Sequence, residues 1–215
     1  MESNLLKFKI ERTAHVYSLG ELSEETTDVW IVFHGYGQLA SRIIKKFNHL
    51  ELDNAYILAP EGISKFYFKR DPLILGASWM SSQHREDEIE DYLKYIDAVY
   101  DSLPTSNTWR LNVLGFSQGC TTMMRWLDHR RPNLHKLVMW AGQFPHDMQY
   151  EAFKEYFNTI THRFFCVGDS DEFVTPERFK ILKDFLGESE MNLEFKHFNG
   201  KHVIDRTILS EVYGA

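Results

Sequence analysis

Leu111-Asn112-Val113-Leu114-Gly115-Phe116-Ser117-Gln118-Gly119 is the stretch of sequence on which the fold prediction rests. Its first four residues form a short, mostly apolar run that predicts a buried strand, and a helix-like pattern follows Ser117. In this context G-x-S-x-G is typical of a nucleophile elbow, a sharp turn that exposes the serine hydroxyl while the two glycines let strand and helix approach closely. We therefore predict that Ser117 is a catalytic nucleophile.

Two later segments supply the partners that a serine nucleophile needs, namely a base for its proton and a group that orients the base. His202 follows a glycine after the last predicted strand, and Asp171 follows the strand before it. Serine, aspartate and histidine in this chain order are typical of an α/β-hydrolase. Asp169 and Glu172 follow the same strand as Asp171, so the residues alone leave the acid open. His197 is the alternative base, and its place within a strand pattern favours a structural role.

A glycine-flanked turn, residues 32–37 with the sequence Val-Phe-His-Gly-Tyr-Gly, follows an early predicted strand. In this fold the N–H of the residue after the nucleophile and an N–H from this loop bind the developing oxyanion. The pattern indicates Gln118 and Tyr36 as the two donors. We interpret His34 as a structural brace and not as a second base.

The strand and helix patterns predict one α/β domain over residues 1–215, with a mostly parallel central sheet and helices on both faces. The first two predicted strands are separated by only a few residues, which indicates an antiparallel N-terminal hairpin. The clearest helices are expected from Glu86 to Leu103 and after Ser117, and weaker helical patterns lie at 39–49, 149–157, 176–187 and 203–212. The predicted strands lie at 5–10, 14–18, 28–33, 55–59, 110–114, 135–140, 163–167 and 193–198.

The segment from Gly62 to Arg85 has no clear period and is rich in aromatic residues. Long irregular loops in compact domains are usually functional or mobile. Because ligands bind outside the carboxyl ends of parallel strands, and this segment follows such a strand, we expect it to overhang the site and form the pocket wall.

Composition narrows the class of protein. The formal net charge is −7, which disfavours nucleic acid as a partner. No apolar run approaches the length of a membrane-spanning helix, and the first residues do not resemble a signal peptide, so we expect a cytoplasmic protein without stable membrane insertion. Cys120 and Cys166 lack paired metal-ligand spacing, and neither H-E-x-x-H nor a glycine-rich phosphate loop occurs. We expect no metal and no cofactor.

Several motifs together resemble the phospholipase/carboxylesterase family of α/β-hydrolases, which includes acyl-protein thioesterases and small bacterial carboxylesterases. The resemblance spans about residue 28 to the C-terminus. The motifs are Phe33-His34-Gly35-Tyr36-Gly37, Leu58-Ala59-Pro60, Ser78-Trp79, Gly115-Phe116-Ser117-Gln118-Gly119, Gly168-Asp169-Ser170-Asp171 and Gly200-Lys201-His202.

The resemblance implies a triad of Ser117, Asp171 and His202, since the family's acid is the aspartate three residues after the glycine in G-x-x-D. It also implies that Trp79 lines the acyl pocket, and Phe116 of the elbow is the second candidate substrate-binding residue. The chain departs from many members at Gln38 and Glu172, where they carry aspartate and proline. Both positions lie at the rim of the expected site and bear on substrate preference.

These patterns predict a serine carboxylesterase that hydrolyses small to medium acyl esters through an acyl-serine intermediate. An acyl(-protein) thioesterase or lysophospholipase on the same triad is the alternative, because both chemistries share one tetrahedral intermediate. A non-catalytic ligand-binding protein has no need of all three triad groups, and lactone hydrolysis on this fold commonly uses an elbow cysteine. The expected partner is a small-molecule acyl ester, and the sequence leaves the oligomeric state open.

Overall fold

The computed structural model describes residues 4–70, 72–105 and 109–215. In the described ranges a seven-stranded sheet has the spatial order β1-β3-β2-β6-β7-β8-β9, and β4 and β5 form a separate pair. Every neighbouring pair in the large sheet is parallel except β1 with β3. The strands are β1 Val16–Leu19, β2 Asp28–Phe33, β3 Ala55–Pro60, β4 Ser64–Arg70, β5 Leu73–Ser78, β6 Arg110–Phe116, β7 Lys136–Trp140, β8 His162–Gly168 and β9 Glu194–Phe198.

The helices follow the predicted patterns closely, because their apolar residues recur at helical spacing. Pro104 lies three residues beyond the end of α2, and Pro176 occupies the first position of α5, where its missing N–H costs nothing. The helices are α1 Ala40–Ile43 with a 3-10 turn over Ile44–Phe47, α2 Arg85–Asp101, α3 Gln118–Arg130, α4 Tyr150–Thr159, α5 Pro176–Glu188 and α6 Arg206–Gly214. Within the described ranges, none of these helices has the length and apolarity needed to cross a bilayer.

The hydrophobic core lies on both faces of the sheet. In β2, Val29 and Ile31 point to one face and Trp30 and Val32 to the other, as the twofold period of a strand requires. The first face is covered mainly by α2, α3 and α4, and the second by α1 and α6. A mostly parallel sheet buried on both faces confirms the predicted fold class.

The N-terminal edge of the sheet differs in detail from the predicted hairpin. Residues 5–10 form no strand, and β1 pairs antiparallel with β3, with Val16 opposite Pro60. Leu6, Phe8 and Ile10 are exposed, while Lys7 binds Asp87 on α2. The antiparallel edge therefore exists, but the alternation at 5–10 marks a segment that rests against a helix.

The segment from Gly62 to Arg85, expected to be irregular, contains the antiparallel hairpin of β4 and β5. A register shift between Tyr67 and Lys69 obscures the twofold alternation in the sequence. An isolated bridge between Gln38 and Ala77 joins the hairpin to the turn after β2. The hairpin therefore overhangs the carboxyl end of β2, as its place in the chain predicts.

Candidate active site

Ser117 occupies a strained turn between the end of β6 and the start of α3. Its φ of 53° and ψ of −117° lie in a region that L residues rarely adopt. The turn is fixed because the Ser117 N–H donates to the Trp140 carbonyl oxygen at 2.9 Å. This is the geometry expected of a nucleophile elbow, in which the surrounding structure holds the serine in a costly conformation.

The two elbow glycines are needed for close packing. A Cβ on Gly119 would lie 2.2 Å from the Phe33 carbonyl oxygen, and a Cβ on Gly115 would lie 2.7 Å from the Cα of Cys120. Neither position has room for a side chain. Gly119 therefore lets α3 begin directly against the end of β2, which brings the two candidate oxyanion segments together.

Asp171 and His202 form the best-placed acid–base pair of the site. Oδ2 of Asp171 lies 2.8 Å from Nδ1 of His202, and the Asp171 side chain is 0% exposed. Its other oxygen accepts the backbone N–H groups of Phe173 and Val174 at 2.8 and 3.0 Å. Because an ionised carboxylate only accepts, Nδ1 of His202 donates to it, and Nε2 is left free to take a proton.

Asp169 and Glu172 take other positions. Asp169 is exposed and contacts Nδ1 of His197 at 3.3 Å, so this pair lies at the surface. Glu172 is exposed as well. Of the three acidic residues that follow β8, Asp171 is therefore the one that the structure places against His202.

Aromatic rings hold the His202 imidazole beside the elbow. Its ring centroid lies 4.8 Å from that of Phe116 and 4.6 Å from that of Phe173. Phe116 directly precedes Ser117, so the imidazole lies next to the nucleophile turn. In the described part of the chain the Ser117 hydroxyl makes no hydrogen bond to His202, and such bonds often tighten only when substrate binds. Phe173 was missed by sequence reasoning, although it is the apolar residue two positions after Asp171.

Tyr36 and Gln118 each present a backbone N–H that has no acceptor among the described residues. Gln118 is the first residue of α3, where an N–H lacks a partner within the helix. A Cβ on Gly35 would lie 3.1 Å from Cβ of Ser117, so the turn that carries Tyr36 packs directly on the nucleophile. Both residues border the same cavity as Ser117.

His34 braces the turn, as interpreted from the sequence. Its Nε2 accepts the Gly62 N–H at 2.9 Å, which assigns the proton to Nδ1, and Nδ1–H donates to the Gly35 carbonyl oxygen at 2.8 Å. Burial lowers the pKa of His34 and outweighs the hydrogen bond to Gly35 and the nearby Glu61 charge, which raise it. The ring is buried, neutral and saturated with hydrogen bonds, so it is not placed to act as a base.

Trp79 and Phe116 are placed differently from the sequence expectation. Each is 2% exposed, and neither borders the cavity at Ser117. Trp79 packs in the core on Phe33 and donates from Nε1 to the His34 carbonyl oxygen at 2.9 Å. The Gln118 side chain binds the Trp79 N–H and the Met80 carbonyl oxygen. The wall residues from this segment are instead those that directly follow Trp79.

The cavity beside Ser117 measures about 950 Å³. This volume accommodates a drug-sized ligand. Its wall combines apolar and cationic side chains. The apolar members are Tyr36, Met80, Phe144, Pro145, Phe173, Val174 and Leu182, and the arginines are Arg85, Arg125 and Arg178.

Comparison with known families identifies the class of protein. Residues 29–207 match the family described as Serine hydrolase (FSH1). The chain belongs to this serine hydrolase family. Ser117, Asp171 and His202 all lie within the matched segment. A search of curated protein sequences finds no match.

Solved structures extend the likeness of this serine hydrolase over most of its length. Acyl-protein thioesterase 2 from Zea mays is 16% identical, covers 93% of this chain and 96% of its own, and superimposes with a TM-score of 0.71. SOBER1 from Arabidopsis thaliana is 19% identical, with 88% and 97% covered and a TM-score of 0.63. A carboxylesterase from Mesorhizobium loti is 13% identical, with 87% and 88% covered and a TM-score of 0.64.

At these sequence identities the likeness establishes only the fold of the serine hydrolase, and not its substrate. The serine hydrolase class and the α/β-hydrolase fold expected from the sequence are thereby confirmed. Function has to be argued from the site.

Proposed function

We propose that this serine hydrolase is a carboxylesterase that cleaves small to medium acyl esters through an acyl-Ser117 intermediate. One observation carries the proposal. Ser117 lies in a strained turn on the wall of a cavity, and the ring of the preceding Phe116 contacts a His202 imidazole that Asp171 orients. A serine that borders a cavity near an oriented base is the arrangement that nucleophilic acyl transfer needs.

The first half-reaction acylates the serine. Ser117 Oγ attacks the ester carbonyl carbon while its proton passes to Nε2 of His202, and Asp171 stabilises the imidazolium through Nδ1–H. The carbonyl electron pair moves onto oxygen, where the N–H groups of Tyr36 and Gln118 receive it. Each such donor contributes about 2.7–4 kcal/mol of transition-state stabilisation. When the C–O bond breaks, the alcohol leaves with the proton from His202.

The second half-reaction releases the acid. A water molecule gives a proton to Nε2 of His202 and attacks the acyl carbon, and the same two N–H groups bind the oxyanion. Collapse of this intermediate returns the proton to Ser117 Oγ and frees the carboxylic acid. No step in this sequence needs a cofactor.

Thioester hydrolysis is the second candidate, because the chain superimposes on an acyl-protein thioesterase over nearly its whole length. The steps are the same, with a thiol as the leaving group. Esters are placed first because the cavity is open and bordered by both apolar and polar groups, which suits small acyl substrates.

A panel of p-nitrophenyl esters from acetate to dodecanoate, run beside acyl-CoA thioesters of the same lengths, tests the proposal. We expect ester hydrolysis by the wild type with a maximum at short to medium chains, and a loss of about 10⁴-fold or more in Ser117→Ala. A folded wild type that hydrolyses no ester, or a Ser117→Ala variant as active as the wild type, would overturn it. A kcat/KM that is higher for thioesters at every length would assign the second candidate.

A further inference from the structure

The cavity beside Ser117 has a charge opposite to that of the whole chain. The chain carries 31 acidic and 24 basic residues, yet three arginines border the cavity. No Asp or Glu is among the described residues that line it. A concave site bordered by one sign of charge attracts ligands of the other sign.

Arg125 lies on the same face of α3 as the nucleophile. Thr121 and Arg125 follow Ser117 at steps of four residues, so all three border the cavity. Eight residues of helix place the Cα of Arg125 about 12 Å from that of Ser117, and the long side chain shortens this gap because helical side chains lean toward the N-terminus. Its Nη1 lies 3.4 Å from the sulfur of Met80, whose carbonyl oxygen accepts from Gln118.

One carboxylate serves two of the three arginines. Asp147 accepts from Nη2 of Arg125 at 2.8 Å and from Nη2 of Arg85 at 3.0 Å. Arg178, on α5, donates to the Phe173 carbonyl oxygen, and no carboxylate of the described residues lies within ion-pair distance of it. Three arginine charges against one carboxylate leave a net charge of about +2 at the cavity among the described residues.

A role in stabilising the fold accounts for Arg125 but not for Arg178. The buried Arg125 and the half-exposed Asp147 form an ion pair that stabilises the packing of α3. Arg178 lies on another helix and is exposed, and it forms no ion pair with the described residues, so it does not stabilise helix packing in this way. Guanidinium groups are the side chains best suited to bind carboxylate or phosphate, since their donors match two oxygens at once.

We propose that the cavity selects acyl esters that carry an anionic group, a carboxylate or a phosphate, a few bonds from the scissile carbonyl. Arg178 and Arg85 are then the residues that determine specificity, and Arg125 supports them from the cavity wall. This inference rests on the proposed ester hydrolysis and names its substrate class.

Matched substrates test the inference. The 4-nitrophenyl monoester of glutaric acid carries a free carboxylate and is compared with 4-nitrophenyl pentanoate, which has the same chain without it. A phosphate source is tested with the butanoyl ester of glycerol 3-phosphate against that of glycerol. We expect kcat/KM to be about tenfold or more higher for one anionic member over its neutral match. Equal values in both pairs would overturn the inference.

Variants assign the preference to the arginines. Arg178→Gln and Arg85→Gln should each lower the anionic-to-neutral ratio of kcat/KM by about tenfold, and Arg178→Lys should restore part of it by keeping the charge. Arg206→Gln removes a cation that does not line the cavity and should keep the wild-type ratio. An unchanged ratio in both Arg178→Gln and Arg85→Gln would contradict the assignment.

A binding measurement separates this inference from the proposed function. If the wild type hydrolyses none of the esters, the proposed function fails, whatever the cavity binds. Titration calorimetry of Ser117→Ala with glutaramate, which carries one carboxylate, and with the uncharged pentanamide then tests the anion preference alone. Tighter binding of glutaramate would support the arginine site, and equal binding of the two amides would overturn it.

Discussion

Oδ2 of Asp171 lies 2.8 Å from Nδ1 of His202, and the Asp171 carboxylate is closed off from solvent. Two backbone N–H groups hold the other carboxylate oxygen, so the acid is fixed on both sides. A carboxylate so held keeps the imidazole in one tautomer and in one orientation. In the proposed mechanism, this relationship makes Asp171 the residue that orients His202.

Asp171→Asn should therefore lower kcat by about 10⁴-fold, because an amide at this position favours the wrong tautomer of the base. Asp169→Asn is the matched control, since Asp169 is 59% exposed and contacts only His197 at the surface. It should keep nearly normal activity. Steady-state ester hydrolysis by both variants decides the matter, and an inactive Asp169→Asn beside an active Asp171→Asn would reverse the assignment.

Gly119→Ala should abolish activity and destabilise the protein. Its Cβ would lie 2.2 Å from a backbone oxygen of β2, so α3 has to move away from the oxyanion turn. Gly187→Ala is the control, because a Cβ there meets nothing within 4 Å and the residue lies in α5. This second change should raise the free energy of unfolding by about 0.5 kcal/mol. Urea unfolding and ester assays measure both effects. A Gly119→Ala variant that is as stable and as active as the wild type would contradict the account.

Asp147→Asn should destabilise the protein in a pH-dependent way. Burial raises the pKa of Asp147, but the hydrogen bonds and charges of Arg125 and Arg85 outweigh it and hold the pKa below its usual value. Its stabilisation is then fully present above the unfolded pKa of about 3.9 and is lost as the pH falls through the lower folded pKa. We expect a cost of about 3 kcal/mol at pH 7, since Arg125 is left buried without a counter-charge.

Urea unfolding of wild type and Asp147→Asn at pH 7 and pH 3 measures this difference. The gap between the two proteins should shrink at pH 3. Asp184→Asn, which breaks an exposed pair with Lys180, should change stability by less than about 0.5 kcal/mol at pH 7. The same gap for Asp147→Asn at both pH values would show that its charge is not the cause.

Met80→Ala should change the acyl-length preference, because Met80 borders the cavity. One or two methylenes of pocket contact are worth roughly 1–3 kcal/mol, so the ratio of kcat/KM between short and medium esters should shift by about tenfold. Trp79→Phe should leave that ratio unchanged. It should instead lower stability by about 1–3 kcal/mol, since the buried His34 carbonyl oxygen loses its donor. If Trp79→Phe changed the acyl-length preference, Trp79 would have to contact the acyl chain, and its placement in the core would be wrong.

Much of the fold, the elbow turn at Ser117 and the contact between Asp171 and His202 could be predicted from short motifs. The elbow motif, the strand before it and the helix after it are contiguous, and the apolar period of α2 over Arg85–Asp101 is regular. The acid that contacts His202 was singled out by the resemblance to the family's G-x-x-D motif, since the residues alone left Asp169, Asp171 and Glu172 open. Chain order and short motifs are sufficient to predict structure where residues that are close in sequence are also close in space.

The cavity could not be predicted in the same way. Its arginines come from the start of α2, the middle of α3 and the start of α5, and no spacing links Arg85, Arg125 and Arg178. Trp79 was misplaced because an aromatic residue after a strand fits a pocket wall and a core position equally well. The register shift in β4 hid its strand period. In each case long-range packing, which a local pattern does not record, decides the outcome.

The most direct test of the central claim is covalent labelling of Ser117. The wild type is treated with a fluorophosphonate probe and its intact mass is compared with that of treated Ser117→Ala. A serine that borders the cavity near an oriented imidazole should displace fluoride and form one phosphonyl adduct, so we expect a single added mass on the wild type and none on the variant. A folded wild type without an adduct, or the same adduct on Ser117→Ala, would contradict the account.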